Sequence, residues 1–256
     1  MRLAVTGDES VVGAIRATGA TVVDPDEATS SDIVVAVGEE AVVDAALDSS
    51  APVLPVDCGT PWSVPRRVLG DTVDSLLAGD IRAVDHPILS VGVGGDHVGR
   101  ALFDVMLVTS EPARISEYAV AHRRRGEAVL NDHDENDHDE NDRDVAADAT
   151  AVSGEWRVAD EFRADGVVVA SPLGSSGYAR AAGGSVVGVG AGLSVVPVSP
   201  YATRTDSWVF DPPLRLSVER DDAPVSLVVD DTVARPVAPH ESVVVEVVET
   251  ASLLVG

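Results

Sequence analysis

A chain of 256 residues, 45% of them hydrophobic, has enough apolar side chains for one large core or two modest ones. Its formal net charge is -25 and its 18 basic residues are all arginine. Acid spread along the whole length argues against non-specific nucleic-acid binding and reads as adaptation to molar salt, where counter-ions screen a self-repelling surface. The single cysteine, Cys58, excludes an intramolecular disulfide and a cysteine-based zinc site.

In chain order, Arg2 to Thr6 reads as a strand, Ser10 to Thr18 as a helix and Ala20 to Val23 as a second strand. Asp32 to Val37 is a continuous apolar run of the kind that parallel strands buried on both faces display. Glu39 to Leu47 reads as a helix, Pro52 to Val56 as a strand and Val64 to Ala78 as a further helix. Strand and helix alternating through short loops predict a doubly wound α/β domain over residues 1–80. Met1 leads straight into the first strand, without a charged-then-apolar leader or an apolar run near about 18 residues. A soluble, cytoplasmic protein without membrane contact is therefore expected.

Beyond Ile81 the helix signals fade and valine-rich runs recur between turns: Ile88–Val93, Val105–Val108, Val167–Ala170, Val186–Val189, Leu193–Val198, Leu214–Val218, Val225–Val229 and Val243–Val248. These predict a β-rich domain over 81–256. Within it, Asn131-Asp132-His133-Asp134-Glu135 repeats at once as Asn136-Asp137-His138-Asp139-Glu140. Such a segment has no apolar anchor to offset its ordering entropy, so an acidic, disordered insertion is expected over about residues 127–153, with no specific metal site.

One stretch combines features suited to a ligand. The apolar run Val167–Ala170 empties into Ser171-Pro172-Leu173-Gly174-Ser175-Ser176-Gly177-Tyr178, and Ala182-Gly183-Gly184 follows. Such a loop lets backbone approach phosphate or ribose and offers hydroxyls and free N–H groups. A tight strand-to-helix turn with no ligand has the same composition.

The order Asp165-Gly166, apolar strand, Ser-Pro-x-Gly-Ser-Ser-x-Tyr and Ala-Gly-Gly resembles the signature of the NAD kinase family. The resemblance continues in Pro197-Val198-Ser199-Pro200, with Tyr201 where the family has histidine, in the Val228-Val229-Asp230-Asp231 hairpin, and in Pro52–Gly59. It implies an α/β domain followed by a β-rich dinucleotide-binding domain. It also implies transfer of the ATP γ-phosphoryl group to the 2′-hydroxyl of the NAD adenosine ribose, with NAD(H), ATP and Mg2+ bound and a homo-oligomeric assembly. The site residues it implies around the nucleotides are Gly38, Asp104, Arg114, Arg163, Asp165, Gly174, Ser175, Ser176, Tyr178, Gly183 and Gly184, with Glu40 as the base.

The phosphate end departs from the family pattern. The Gly-Gly-Asp-Gly motif is represented by Gly38-Glu39-Glu40-Ala41, which reads equally well as a helix N-terminus whose acids favour the macrodipole. The family's Asn-Glu pair is represented by Phe103-Asp104, and Asp231-Thr232 stands for Gly-Gln in the last hairpin. Gly94-Gly95-Asp96-His97 imitates the missing motif but lies between two strand-like runs, where Gly-Asp is hairpin chemistry. A non-catalytic NAD(P)(H)-binding sensor, or a partner of a true kinase, is the alternative function. From the charge alone, the melting temperature is expected to rise between low salt and molar KCl. A melting temperature that stays flat or falls over that range, measured by calorimetry, would remove salt adaptation as the reason for the acidity.

Overall fold

The computed structural model describes residues 1–111, 114–123, 155–221 and 223–255. The acidic repeat and the insertion expected around it, residues 127–153, lie outside these. The N-terminal region consists of β1 (Arg2–Thr6), α1 (Val12–Ala17), β2 (Thr21–Val23), β3 (Ile33–Val37), α2 (Glu39–Asp48), β4 (Val53–Val56) and α3 (Leu69–Ala78). After it come β5 (Arg82–Val93), β6 (Asp96–Ala101), β7 (Asp104–Thr109), β8 (Ser116–Arg123), β9 (Trp156–Ala164) and β10 (Gly166–Ala170). The chain continues through α4 (Tyr178–Ala181), β11 (Leu193–Val198), β12 (Trp208–Phe210), β13 (Leu214–Arg220), β14 (Val225–Val229), β15 (Thr232–Val237) and β16 (Ser242–Val255).

Among the described residues the strands make two sheets. The first runs β2-β1-β3-β4-β16-β13-β8-β9, with β5 on β16 and β6 on β5. The second runs β12-β11-β10-β7-β14-β15. Strands β1 to β4 are parallel, as the continuous apolar burial of β3 requires, and nearly everything after them is antiparallel. Strand β16 joins the two styles. It pairs antiparallel with β5 along most of its length and with β13 at its start, and its end meets β4 in parallel at Leu253 and Val53. The chain's last strand thus returns to the first domain's sheet.

Of the four apolar clusters among the described residues, three join the layers. Leu89, Val91, Leu107, Val169, Leu214 and Leu216 belong to the core of the β-rich region. Leu3, Ile15, Leu54, Leu69 and Val73 unite α1 and α3 with one face of the parallel strands. On the other face, Val34, Val42 and Ala45 pack with Ile88, Leu102, Phe103 and Leu173, so that α2 is joined to the β-rich region. One expected strand is absent: residues 185–189 have no regular structure, and Val186 and Val189 are exposed, with a glycine on either side of Val189 to interrupt pairing. Gly94 and Gly95, both at positive φ, turn β5 into β6 as a tight hairpin.

His86, on β5, is fully buried against the edge of the Trp62 ring at 5.1 Å, and neither ring nitrogen has a hydrogen-bond partner among the described residues. Burial lowers its pKa to about 4. The folded state thus favours the neutral ring, while an unfolded chain takes up a proton below about pH 6.5. The stabilisation is complete above that pH and is lost as pH falls through 4. Between pH 7 and 4 this residue should cost the fold about 3 kcal/mol. His86→Leu is expected to flatten that part of the pH–stability curve in denaturant titrations at constant KCl; an unchanged slope refutes the assignment.

Candidate active site

Three segments of the β-rich region are tied together at the start of β7. The Asp230 carboxylate, in the β14–β15 turn at φ 48, accepts the backbone N–H groups of Leu102 (3.0 Å), Phe103 (2.8 Å) and Asp104 (3.0 Å). The Asp230 N–H returns a bond to the Asp104 carbonyl at 2.9 Å. From the other side, Ser171 donates its hydroxyl to the Leu102 carbonyl (2.6 Å) and its N–H to the Phe103 carbonyl (2.8 Å). Gly174 lies so close that a Cβ there would be 2.1 Å from the Phe103 oxygen. Glycine is required at 174 by contact with backbone, and loop 171–177 is held against the β6–β7 turn.

The hydroxyls of this loop face inward as well as outward. Ser175 is buried; it donates to the Pro172 carbonyl at 2.8 Å and accepts the Val187 N–H at 3.0 Å, which gives it a positioning role. Ser176, partly buried, donates to the Leu173 carbonyl at 3.1 Å. Tyr178 begins α4 and is half exposed. Gly183 turns the chain out of α4 at φ 103, and Gly184 packs where a Cβ would meet Val196 and the Ala179 carbonyl.

Carboxylates converge on this junction. Burial pushes the Asp104 pKa up to about 7, reinforced by the negative charges of Asp230, Asp231 and Glu39. Asp230 is raised by burial against the lowering effect of its three N–H donors. Glu39, the first residue of α2, is raised by burial and by Asp231 and Asp230. The N-terminus of α2 therefore faces the β14–β15 hairpin through Glu39. Glu39 and Glu40 are both exposed, and Glu40, expected as the base, is not among the charges acting on Asp104. One residue of offset on a helix turns a side chain by about 100°, so Glu39 and Glu40 point in different directions. Gly38 precedes them at φ 93, with its N–H bonded to the Val56 carbonyl at 2.8 Å.

The remaining expected residues lie elsewhere. Asp165 and Ser171 flank opposite ends of β10, a separation of roughly 20 Å at strand rise. At the Asp165 end, its carbonyl accepts the Thr109 N–H, and Arg163 stacks over the Tyr201 ring at 5.5 Å. Arg163 and Tyr201, with Arg204 and Glu117, line a cavity of about 470 Å³. Arg114 is exposed and faces Glu111 at 3.6 Å, and its carbonyl accepts the Thr109 hydroxyl. The expected residues therefore form two groups, one at each end of the β7–β10 pair. Sequence reading missed Ser171, Glu39 and Asp230 as site residues; the Val228-Val229-Asp230-Asp231 hairpin was the available signal for the last.

Comparison with known proteins shows what the chain is similar to. Residues 138–255 match the model of the ATP-NAD kinase C-terminal domain. The chain is 27% identical over 169 residues to an NAD kinase of Methanopyrus kandleri, covering 66% of this chain and 50% of that protein. It is 30% identical over 124 residues to an NAD kinase of Methanocorpusculum labreanum, covering 48% of this chain and 34% of that one. The matches thus span half or less of these relatives. In fold, the chain is similar over its whole length to yeast NADH kinase complexed with NADH (TM-score 0.68, 12% identity, 83% of that chain). It is likewise similar to an Archaeoglobus fulgidus NAD kinase in complex with ATP (TM-score 0.60, 17% identity, 93% of that chain).

The buried carboxylates make a stability prediction. A folded pKa near 7 for Asp104 means that its charge opposes folding as pH rises from about 4 through 7. Asp104→Asn mimics the protonated form and should stabilise the protein by roughly 2–4 kcal/mol at pH 8. The gain should vanish near pH 4, where the natural side chain is itself protonated. Denaturant titration at the two pH values checks this, and a loss of stability at pH 8 would contradict it.

Proposed function

We propose, from its similarity to NAD kinases, that the chain is a member of that family and transfers the γ-phosphoryl group of ATP to the 2′-hydroxyl of the NAD adenosine ribose, forming NADP and ADP. The observation that carries this reading is the meeting of loop 171–177, the 102–104 turn, the Asp230–Asp231 hairpin and the α2 N-terminus at one place. The loop presents Ser176 and Tyr178 to the dinucleotide. Asp104 stands beside the loop with a carboxylate whose affinity for a proton suits a base near neutral pH.

In the proposed step the ribose oxygen attacks the γ-phosphorus, the bond from that phosphorus to the β-bridging oxygen breaks, and ADP leaves. The hydroxyl proton passes to Asp104. Asp230 holds the backbone of Asp104 in register through its N–H bonds and so positions the base. No group of three or more His, Cys, Asp or Glu side chains among the described residues is arranged to hold a metal ion. Mg2+ enters this proposal as the companion of the triphosphate.

The second reading is dinucleotide binding without transfer. It draws support from Glu39, whose charge at the head of α2 repels an incoming polyanion. The test is the purified protein in molar KCl with NAD, ATP and Mg2+, scored for NADP. NADP should accumulate, with a rate that rises with pH toward about 7 and levels above it as Asp104 ionises. Asp104→Asn should lower the rate by about two orders of magnitude or more, and Glu40→Gln should change it less than about threefold. If NAD binds and no NADP forms at any pH, the sensor reading replaces this one.

A further inference from the structure

The carboxyl ends of β1, β3 and β4 form one rim, the place where open α/β sheets take their ligands. Gly7 leaves β1 at φ 85 so tightly that a Cβ there would lie 2.2 Å from the Val37 carbonyl oxygen, at the end of β3. Gly38 then turns directly into α2, whose first two residues are acidic. No glycine-rich phosphate cradle remains at this rim.

A guanidinium spans it instead. Arg66, in the turn before α3, donates from Nη1 to Asp8 Oδ2 at 2.7 Å and to Ser10 Oγ at 3.1 Å. Its Nε donates to Asp57 Oδ2 at 3.1 Å and its backbone N–H to Asp57 Oδ1 at 3.0 Å. Asp8 lies just beyond β1 and Asp57 just beyond β4, while β3 runs between those strands. The side chain thus ties the loop after β1 to the loop after β4 at the rim of the sheet.

Resting on the transfer reading above, we propose that Arg66 is the contact for the polyphosphate of the phosphoryl donor, with Asp8 and Asp57 as placeholders that hold it over the rim until the donor arrives. Three considerations support this. A chain of net charge -25 without lysine needs a fixed cation to receive a triphosphate. The guanidinium fork matches phosphate oxygens as it matches carboxylates. The side chains of Arg66, Asp8 and Asp57 are all more than two-fifths exposed, and ion pairs this open exchange partners at small cost.

The test titrates the intact protein in KCl with inorganic tripolyphosphate and with MgATP by calorimetry, with NAD affinity and melting temperature measured alongside. Arg66→Ala should weaken both phosphate ligands at least tenfold and leave NAD affinity within twofold. Asp8→Asn keeps the guanidinium and removes one placeholder, so it should tighten tripolyphosphate by twofold or more. A purely structural tie between the loops predicts that both variants lose melting temperature and bind more weakly together; that pattern, or unchanged donor binding in Arg66→Ala, overturns the proposal. Should Arg66→Ala fail to fold, Arg66→Lys replaces it: loss of the fork should still weaken binding while Asp8→Asn strengthens it. Tripolyphosphate binding through Arg66 without NADP formation would retire the transfer reading and leave this one standing. NADP formation by Arg66→Ala with the parent's donor KM would do the reverse.

Discussion

The Asp230 carboxylate, half-buried at the turn of β14 into β15, accepts three consecutive main-chain N–H groups, and the geometry of the candidate site depends on that bond set. A buried carboxylate without donors would be neutralised or expelled, and three buried N–H groups without an acceptor would each carry a desolvation cost. Each side of the arrangement supplies what the other lacks. The same turn exposes its carbonyls on the far side, where Leu102 and Phe103 receive Ser171. One carboxylate therefore fixes the hairpin directly and loop 171–177 at one remove.

This junction also sets how the parallel layer meets the β-rich region. Phe103, Leu102 and Leu173, which flank the hydrogen bonds, are the residues that pack against Val34, Val42 and Ala45. Arg100 adds a tie between Asp48 at the end of α2 and Glu249 on β16, at 3.0 and 2.8 Å. Its exposed pairs contribute little by themselves and less in molar salt. The apolar cluster is what brings α2 to the junction, and Glu39 is carried there with it.

The alternation of strand and helix was legible because each element in residues 1–80 has its own period and its own punctuation, as in Asp32–Val37 running into Gly38. The Ser171–Tyr178 loop was legible because its proline, glycines and serines leave few backbone choices. Ser175 shows the limit: its composition matches a ligand-binding hydroxyl, yet its two hydrogen bonds are internal, and only three-dimensional neighbours such as Val187 reveal that. The choice between Glu39 and Glu40 depended on helix phase relative to a hairpin some 190 residues away in sequence, which no local pattern encodes. The division of site residues between two ends of β10 was in principle readable from strand rise, since Asp165 and Ser171 flank one apolar run. The resemblance had grouped them by family role, and distance along the strand separates them.

Four carboxylates near one junction would be a poor choice if stability were the sole constraint, since Asp104, Asp230 and Glu39 are each pushed toward the protonated form by burial and by neighbouring carboxylates, Asp231 among them. Asp230 is compensated by its three donors. Asp104 has its backbone secured and its carboxyl left under the combined field, which makes it the group that changes charge near neutral pH. A structural acid would gain from donors of its own or from replacement by asparagine, and the fold would lose nothing by either. An uncompensated acid beside loop 171–177 is the arrangement that the proposed proton transfer calls for: a group destabilised as an anion accepts a proton readily once a hydroxyl is brought to it. Under the proposed transfer, the same destabilisation supplies the basicity from burial and neighbouring charge, without an aspartate at position 40.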